Sequence, residues 1–246
     1  MKIYYLIIIF IFNFSIANAK DFKLIKIIDG LKSPWSLSFI NQNNALITEK
    51  SGNIIYIDIQ KIDKERIAAA VREILLAIGE DPNREGLSDT PVRVAKMYED
   101  LFSGMHQNSK DVLMAQFKES HKEMVILKDI PFYSLCEHHL LPFNGVAHVG
   151  YVPQDVVVGI SKIARVVEMF ARRPQMQERF TGQIADAIWE GLNADGVAVV
   201  VEAEHFCLTM RGAEKPGTKV LTSAIRGGFK GRAITRSEFL TLLRGS

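Results

Sequence analysis

The chain has 246 residues, 48% of them hydrophobic and 24% charged, with a formal net charge of +2. This length suits one large domain or two modest ones, and the composition is that of neither a disordered chain nor a membrane bundle. A charge so near zero argues against nucleic acid or an anionic membrane as the default partner, so any anion site must be local.

Composition breaks near Gln60 and Lys61. The residues before the break are rich in Ile and Asn and hold no arginine, the first being Arg66, whereas the rest is rich in Ala, Val, Glu and Arg. So abrupt a shift predicts a boundary between unrelated segments. Within the first, Lys2, the apolar run 3–12 and Ala17-Asn18-Ala19 read as a secretory signal peptide over residues 1–19, too short for a comfortable membrane span. Residues 20–60 predict a short β-rich fragment, with strands at 22–28, 36–40, 45–48 and 54–59 between turn signals such as Asp29-Gly30 and Ser51-Gly52. The stretch Gly30-Leu31-Lys32-Ser33-Pro34-Trp35-Ser36-Leu37, with Thr48-Glu49-Lys50-Ser51-Gly52, resembles the opening of exported quinoprotein sugar dehydrogenases, which are β-propellers. At most one blade is present, so no quinone site is carried over.

From Lys61 onward the period becomes helical. Ile67, Val71, Ile74, Leu75 and Ile78 share one face, and Gly79 is placed to end the helix. After a loop over 80–88, Thr90-Pro91 is an N-cap and first-turn signal for a second helix up to Gly104. Strands are predicted at 123–135 and 145–152, helices at 161–172 and 174–192, and strands again at 196–210 and 218–226. A last helix opens on the capping box Thr235-x-x-Glu238. The order strand-strand-helix-helix-strand-strand predicts an α+β domain over 61–246, with helices on one face of an antiparallel sheet.

Cys136-Glu137-His138-His139 places a thiolate and imidazoles within one turn of chain, where Cys and His three apart reach one tetrahedral ion. Along a strand over 202–211, His205, Cys207, Thr209 and Arg211 would share one face, with Phe206, Leu208 and Met210 turned to the core. Cys136, His139 and Cys207 would then give a metal three protein donors and an open fourth position, the catalytic arrangement, with acidified water at that position. His138 or His205 as a fourth ligand would make the site structural instead, and a disulfide between the two cysteines is the metal-free alternative. Ser161, Lys162 and Arg165 open a helix whose N-terminus suits phosphate, and 172–179 carries charges and amides able to read a base.

Taken in order and spacing, Asp89-Thr90-Pro91 with Arg93 and Lys96, Cys136-Glu137-His138-His139, Gly159-Ile160-Ser161-Lys162, Arg173-Pro174-Gln175 with Gln177-Glu178-Arg179, and Glu204-His205-Phe206-Cys207 with Arg211-Gly212 resemble the GTP cyclohydrolase I family. The resemblance implies a tunnelling fold, with pentameric rings stacked as a homodecamer and active sites between neighbours. It implies GTP as substrate, and formate and 7,8-dihydroneopterin triphosphate as products, the entry to tetrahydrofolate-type pterins. Zn2+ is implied on Cys136, His139 and Cys207, with proton handling by His138 and His205 and a part for Ser161 in the later ribose rearrangement. Gln177 and Glu178 would hold guanine, and Arg93, Lys162, Arg165 and Arg211 the triphosphate, some from a neighbouring subunit. A related tunnelling-fold nitrile reductase would need a free nucleophilic Cys, and both cysteines are claimed by the metal. GTP and a thiolate site imply the cytoplasm for this part of the chain, in conflict with the signal-like segment ahead of it.

Overall fold

The computed structural model describes residues 31–40, 44–58 and 62–244, and the chain divides between Lys61 and Ile62 into two compact units. The signal-like segment and the strand expected at 22–28 lie outside the described residues. In the first unit β1 (Pro34–Phe39), β2 (Asn44–Glu49) and β3 (Ile54–Asp58) form an antiparallel meander in that order. Leu37 faces Ile47 across the first pair, and Ile47 faces Ile55 across the second. Glu49 is buried, and its carboxylate accepts from Asn53 Nδ2 at 3.0 Å and Ser51 Oγ at 3.3 Å, which keeps a charged group tolerable there.

The second unit begins with two helices. Asp63 caps α1 (Lys64–Ala77) by accepting from the Arg66 amide. The helix ends where Gly79, at φ +86°, lets the amides of Gly79 and Glu80 turn back onto Leu76 and Leu75. None of its residues is buried, and Ile74 and Ile78 of the apolar stripe are 59% and 72% exposed. In α2 (Thr90–Leu101) the cap is Asp89, and Thr90-Pro91 forms the first turn. The expected cap is thus one residue too late, because Pro91, which needs no amide partner, fits the second helical position as well as the first. A 3-10 turn (Ser103–His106), α3 (Ser109–Val112) and β4 (Gln116–Lys118) follow.

The main sheet is built from β5 (Val125–Cys136), β6 (Pro142–Val152), β8 (Pro174–Gln175), β9 (Gly196–His205) and β10 (Lys219–Gly227), in the order β10-β9-β6-β5-β8. The four long strands are antiparallel neighbours, and the two-residue β8 adds a parallel edge pair where a helix over 174–192 is expected, so that α5 starts only at Gln177. Between β6 and β8 come β7 (Val156–Val158), which pairs with β4, and α4 (Ile160–Ala171). α5 (Gln177–Leu192) follows β8.

Helices α4 and α5 cover one face of the sheet. Ile163, Val166, Val167, Phe180, Ile184 and Ile188 pack there on Phe132, Phe143, Ala147, Val149, Val199 and Val201. Alternate strand residues Ala198, Val200, Ile126 and Val152 point the other way, where Phe229 of α7 (Gly228–Gly231) and Phe239 of α8 (Ala233–Arg244) meet them. Helix α8 begins at Ala233, so Thr235 lies inside its first turn rather than at its cap.

One difference changes the reading of the site. β9 ends at His205, and Phe206–Thr209 is a single helical turn, α6, not a continued strand. Phe206 and Met210 are accordingly exposed instead of buried in the core. Alternation over so few residues is compatible with either state, and the turn is what carries Cys207 back towards Cys136.

Candidate metal and catalytic site

β5 and β9 both run antiparallel to β6, so they run parallel to each other and end at the same edge of the sheet. Cys136 therefore closes one strand and His205 the other at one end of the molecule. The loop from β5 to β6 is held by the Cys136 amide on Leu141 O at 2.9 Å and the Leu140 amide on Cys136 O at 2.8 Å, with Leu140 at φ +53°. That loop carries His138 and His139, whose Nδ1 atoms each lie 3.9 Å from Cys136 Sγ.

The ligand atoms of Cys136, His139 and Cys207 all lie within 4.8 Å of one another. Both cysteines are free thiols, which disposes of the disulfide alternative for this structure. Burial first, and then the neighbouring Cys136, push the Cys207 thiol above its ordinary range, while Arg211 acts in the opposite sense. Two sulfurs and an imidazole nitrogen are a donor set suited to zinc, whose ligand distances of about 2.0–2.3 Å would draw the three atoms slightly closer together. No fourth His, Cys or carboxylate joins the group among the described residues, so a bound ion would keep an open position.

His205 is held from two sides. Its ring stacks on Phe143 with centroids 4.5 Å apart and planes 4° off parallel, and its Nε2 is 2.7 Å from Gln177 Oε1. Burial pushes its pKa down, partly offset by the charge of Glu178. His138 is exposed beside Glu137.

Glu137, unremarked as a site residue from sequence, forms a two-pronged ion pair with Arg179 of α5, one prong at 3.0 Å. The pairing holds Glu137 below and Arg179 above its ordinary range. It ties the loop bearing His138 and His139 to the first turn of α5, and the Glu137 amide adds a bond to Gln175 O at 2.9 Å. Both partners lie inside the quoted motifs, but nothing in their spacing pairs them.

Gln177 is the residue that the resemblance implies, with Glu178, in holding guanine. It is 2% exposed, and its amide is engaged within the chain. Glu178, next along, is exposed and free to meet a ligand. Arg211, in the bend after α6, is exposed and close enough to Cys207 to favour its thiolate.

The remaining cations lie on other elements, α2 and α4. Arg93 sits on α2 and pairs with Asp89 at 3.1 Å, both side chains more than 70% exposed. The far end of α4 is bound to the metal end of the sheet, with Ser134 Oγ donating to Ala171 O at 2.7 Å. Its 12 residues span about 18 Å, so Ser161 and Lys162 stand at the opposite end and Arg165 about midway. Lys162 and Arg165 line a cleft of about 770 Å³ with Asp100, His106, Asp111 and Arg172, and none of the three candidate metal donors lines it.

Three donors able to hold a metal ion, with two histidines beside them, suit hydrolysis, and an α+β hydrolase is the class into which this unit falls. Comparison with known proteins narrows the class. The model of the family described as GTP cyclohydrolase I matches residues 67–244. GTP cyclohydrolase 1 of Dehalococcoides mccartyi is 60% identical over 184 residues, 74% of this chain and 97% of the relative. That of Carboxydothermus hydrogenoformans is 61% identical over 183 residues, 74% of this chain and 95% of the relative. The Corynebacterium glutamicum protein of the same name is 55% identical over 189 residues, 76% and 96% of the two chains. A solved archaeosine synthase QueF-Like in the apo form covers 45% of this chain and 98% of its own, with 21% identity and a TM-score of 0.36. The chain belongs to the GTP cyclohydrolase I family, and its reaction is the opening of GTP that leads to 7,8-dihydroneopterin triphosphate.

Proposed function

We propose that the imidazole ring of GTP is opened at the sheet end where Cys136, His139 and Cys207 converge, and that C8 leaves as formate. The observation that carries this reading is the convergence itself, two thiols and an imidazole within 4.8 Å at the ends of elements far apart in sequence. Zinc held there would act as a Lewis acid, promoting attack by water near neutral pH. Among the chain's own groups, His138 is exposed and able to carry protons to and from the ring nitrogens, and His205, whose pKa burial lowers, is suited to proton exchange. Glu178 accepts from the ring N–H and amino group of guanine, which selects this purine by its donor edge.

The triphosphate falls to Lys162, Arg165, Arg211 and Arg93, and Ser161 serves the later ribose rearrangement. Since Ser161 and Lys162 stand at the other end of α4 from the end tied to Ser134, with Arg165 midway, a neighbouring copy supplies them, as the family's stacked pentameric rings of the tunnelling fold would provide. A homodecamer in the cytoplasm is the form that matches this demand. Residues 1–60 are a foreign addition, β-propeller-like in sequence, with no part in catalysis. No helix among the described residues is long and apolar enough to cross a membrane.

The test is formate release from GTP by zinc-loaded protein, with metal analysis, on the full chain and on one lacking residues 1–60. Both should turn over and hold one zinc per chain. A folded, zinc-loaded oligomer that releases no formate would sink the reading, and loss of turnover or assembly on truncation would sink the view of the N-terminal segment.

A further inference from the structure

Strand β5 changes phase along its length. Val125 and Leu127 pack on the face covered by α4 and α5, with Met124 and Ile126 on the other. Further along, Ile130, Phe132 and Cys136 lie on the first of these faces, Ser134 donates from it to Ala171 O, and Tyr133 is 65% exposed. The inward residues are thus odd-numbered before Lys128 and even-numbered after Asp129. One bulge makes the change: Leu127 faces Val149 and Ile130 faces Ala147, so Lys128 and Asp129 stand together opposite His148. Asp129 has a left-handed φ of +56°, which Asp tolerates and a β-branched residue does not. Its amide donates to His148 Nδ1 at 3.1 Å, a side chain standing in for the strand partner that the bulge takes away. Were β5 paired without the bulge, its period of two would carry Asp129, Pro131, Tyr133 and Leu135 inwards and turn Cys136 to the opposite face. Cys207 packs on the face covered by α4 and α5, so Cys136 would then point away from it.

We infer that Asp129 and His148 are positioning residues of the metal site: the bulge they form turns Cys136 to the face of the sheet on which Cys207 meets it. Neither residue belongs to the donor group, and both act through the phase of β5. The inference rests on the reading of Cys136, His139 and Cys207 as the metal site for ring opening.

The experiment uses the full chain and compares Asp129→Val, Asp129→Gly and deletion of Asp129, the wild type and the deletion each also with His148→Leu. Val resists a positive φ and Gly accepts it. The deletion removes the extra residue, so that Leu127 and Ile130 keep their partners in a regular strand that needs no bulge. Zinc affinity is read by competition with a chromogenic chelator, and formate release from GTP by the zinc-loaded chains gives kcat and KM. Asp129→Val should weaken zinc binding by about 10- to 100-fold, the usual loss when a support of a metal ligand is removed, and lower kcat with KM unchanged. Asp129→Gly and the deletion should bind zinc as the wild type does, although a residue removed from a strand would ordinarily do more harm than one replaced. His148→Leu should weaken zinc binding in the wild-type background and not in the deletion. Wild-type zinc affinity in Asp129→Val, weakened binding in the deletion, or an equal effect of His148→Leu in both backgrounds would each overturn the inference. If Asp129→Val does not fold, the deletion with and without His148→Leu decides on the same criteria. A wild type that binds zinc but makes no formate overturns the proposed reaction alone, whereas an active wild type whose zinc affinity is unmoved by Asp129→Val overturns the inference alone.

Discussion

Gly145→Ala tests whether the seam between β6 and β9 sets the geometry of the catalytic end. A Cβ at this position would lie 1.9 Å from Glu202 O, 2.7 Å from Ala203 Cα and 2.8 Å from Glu202 C, all backbone atoms that no side-chain rotation can clear. Ordinary contact begins at 3.4 Å, so the strands must part locally by about 1.5 Å. Overpacking of this kind costs about 1–3 kcal/mol. For a unit the size of Ile62–Ser246 each kcal/mol lowers Tm by about 2–4 °C, giving a fall of about 2–12 °C. One step along the same face, Phe143 pairs with His205, so the displacement should also disturb the stacked imidazole and lower kcat. Thermal unfolding followed by circular dichroism, with formate release on the folded protein, reads both effects. An unchanged Tm together with an unchanged kcat would refute the claim that close approach of these strands builds the site.

Two further substitutions probe regions outside the chemistry. Phe239, 1% exposed and edge-on to Phe229 at 5.8 Å, fills the space beneath Gly150, so Phe239→Ala should cost about 3–5 kcal/mol in denaturant unfolding while zinc content per folded chain stays the same. Burial lowers the pKa of His148 from its ordinary 6.5, with Asp129 and Glu202 opposing and Lys128 assisting. The unfolded chain then takes up the proton more readily than the folded one, so this contribution to stability is complete above about pH 6.5 and is lost as pH falls through that value towards the depressed one. His148→Gln should flatten the stability profile over that window in equilibrium unfolding at several pH values, and a profile as steep as the wild type's would count against the assignment.

Much of the second unit could be read from local pattern. Ile67, Val71 and Ile74 mark α1, and Gly79 ends it through its positive φ. The metal donors were legible because Cys136 and His139 are neighbours in sequence and Cys207 has a His two residues before it. What sequence could not show depends on contacts between distant segments. The acceptors around the Gln177 amide come from Val201 and from Val220 and Thr222 on β10, so its burial has no local sign. Phe206-Cys207-Leu208-Thr209 has the alternation of a strand, yet the chain coils there, and the strand-face argument for His205 and Arg211 fails although Cys207 still reaches Cys136. The bond between Glu137 and Arg179 spans 42 positions and had no local sign at all.

The span of α4 between its basic first turn and its anchored far end has a consequence for mixed populations of subunits. If each site draws its thiolates from one copy and its phosphate-holding cations from another, Cys136→Ser and Lys162→Ala damage different partners of the same site. Each variant alone should be nearly inactive. When the two are unfolded together and reassembled, some interfaces will pair an intact donor cluster with an intact helix start, and turnover should reappear. Silence in the mixed assembly, with both chains shown to be incorporated, would mean that one chain houses the whole site. In a cell carrying two defective copies of the gene, the same geometry would let one lesion mask another, so that the phenotype depends on which pair of lesions is combined rather than on the severity of each.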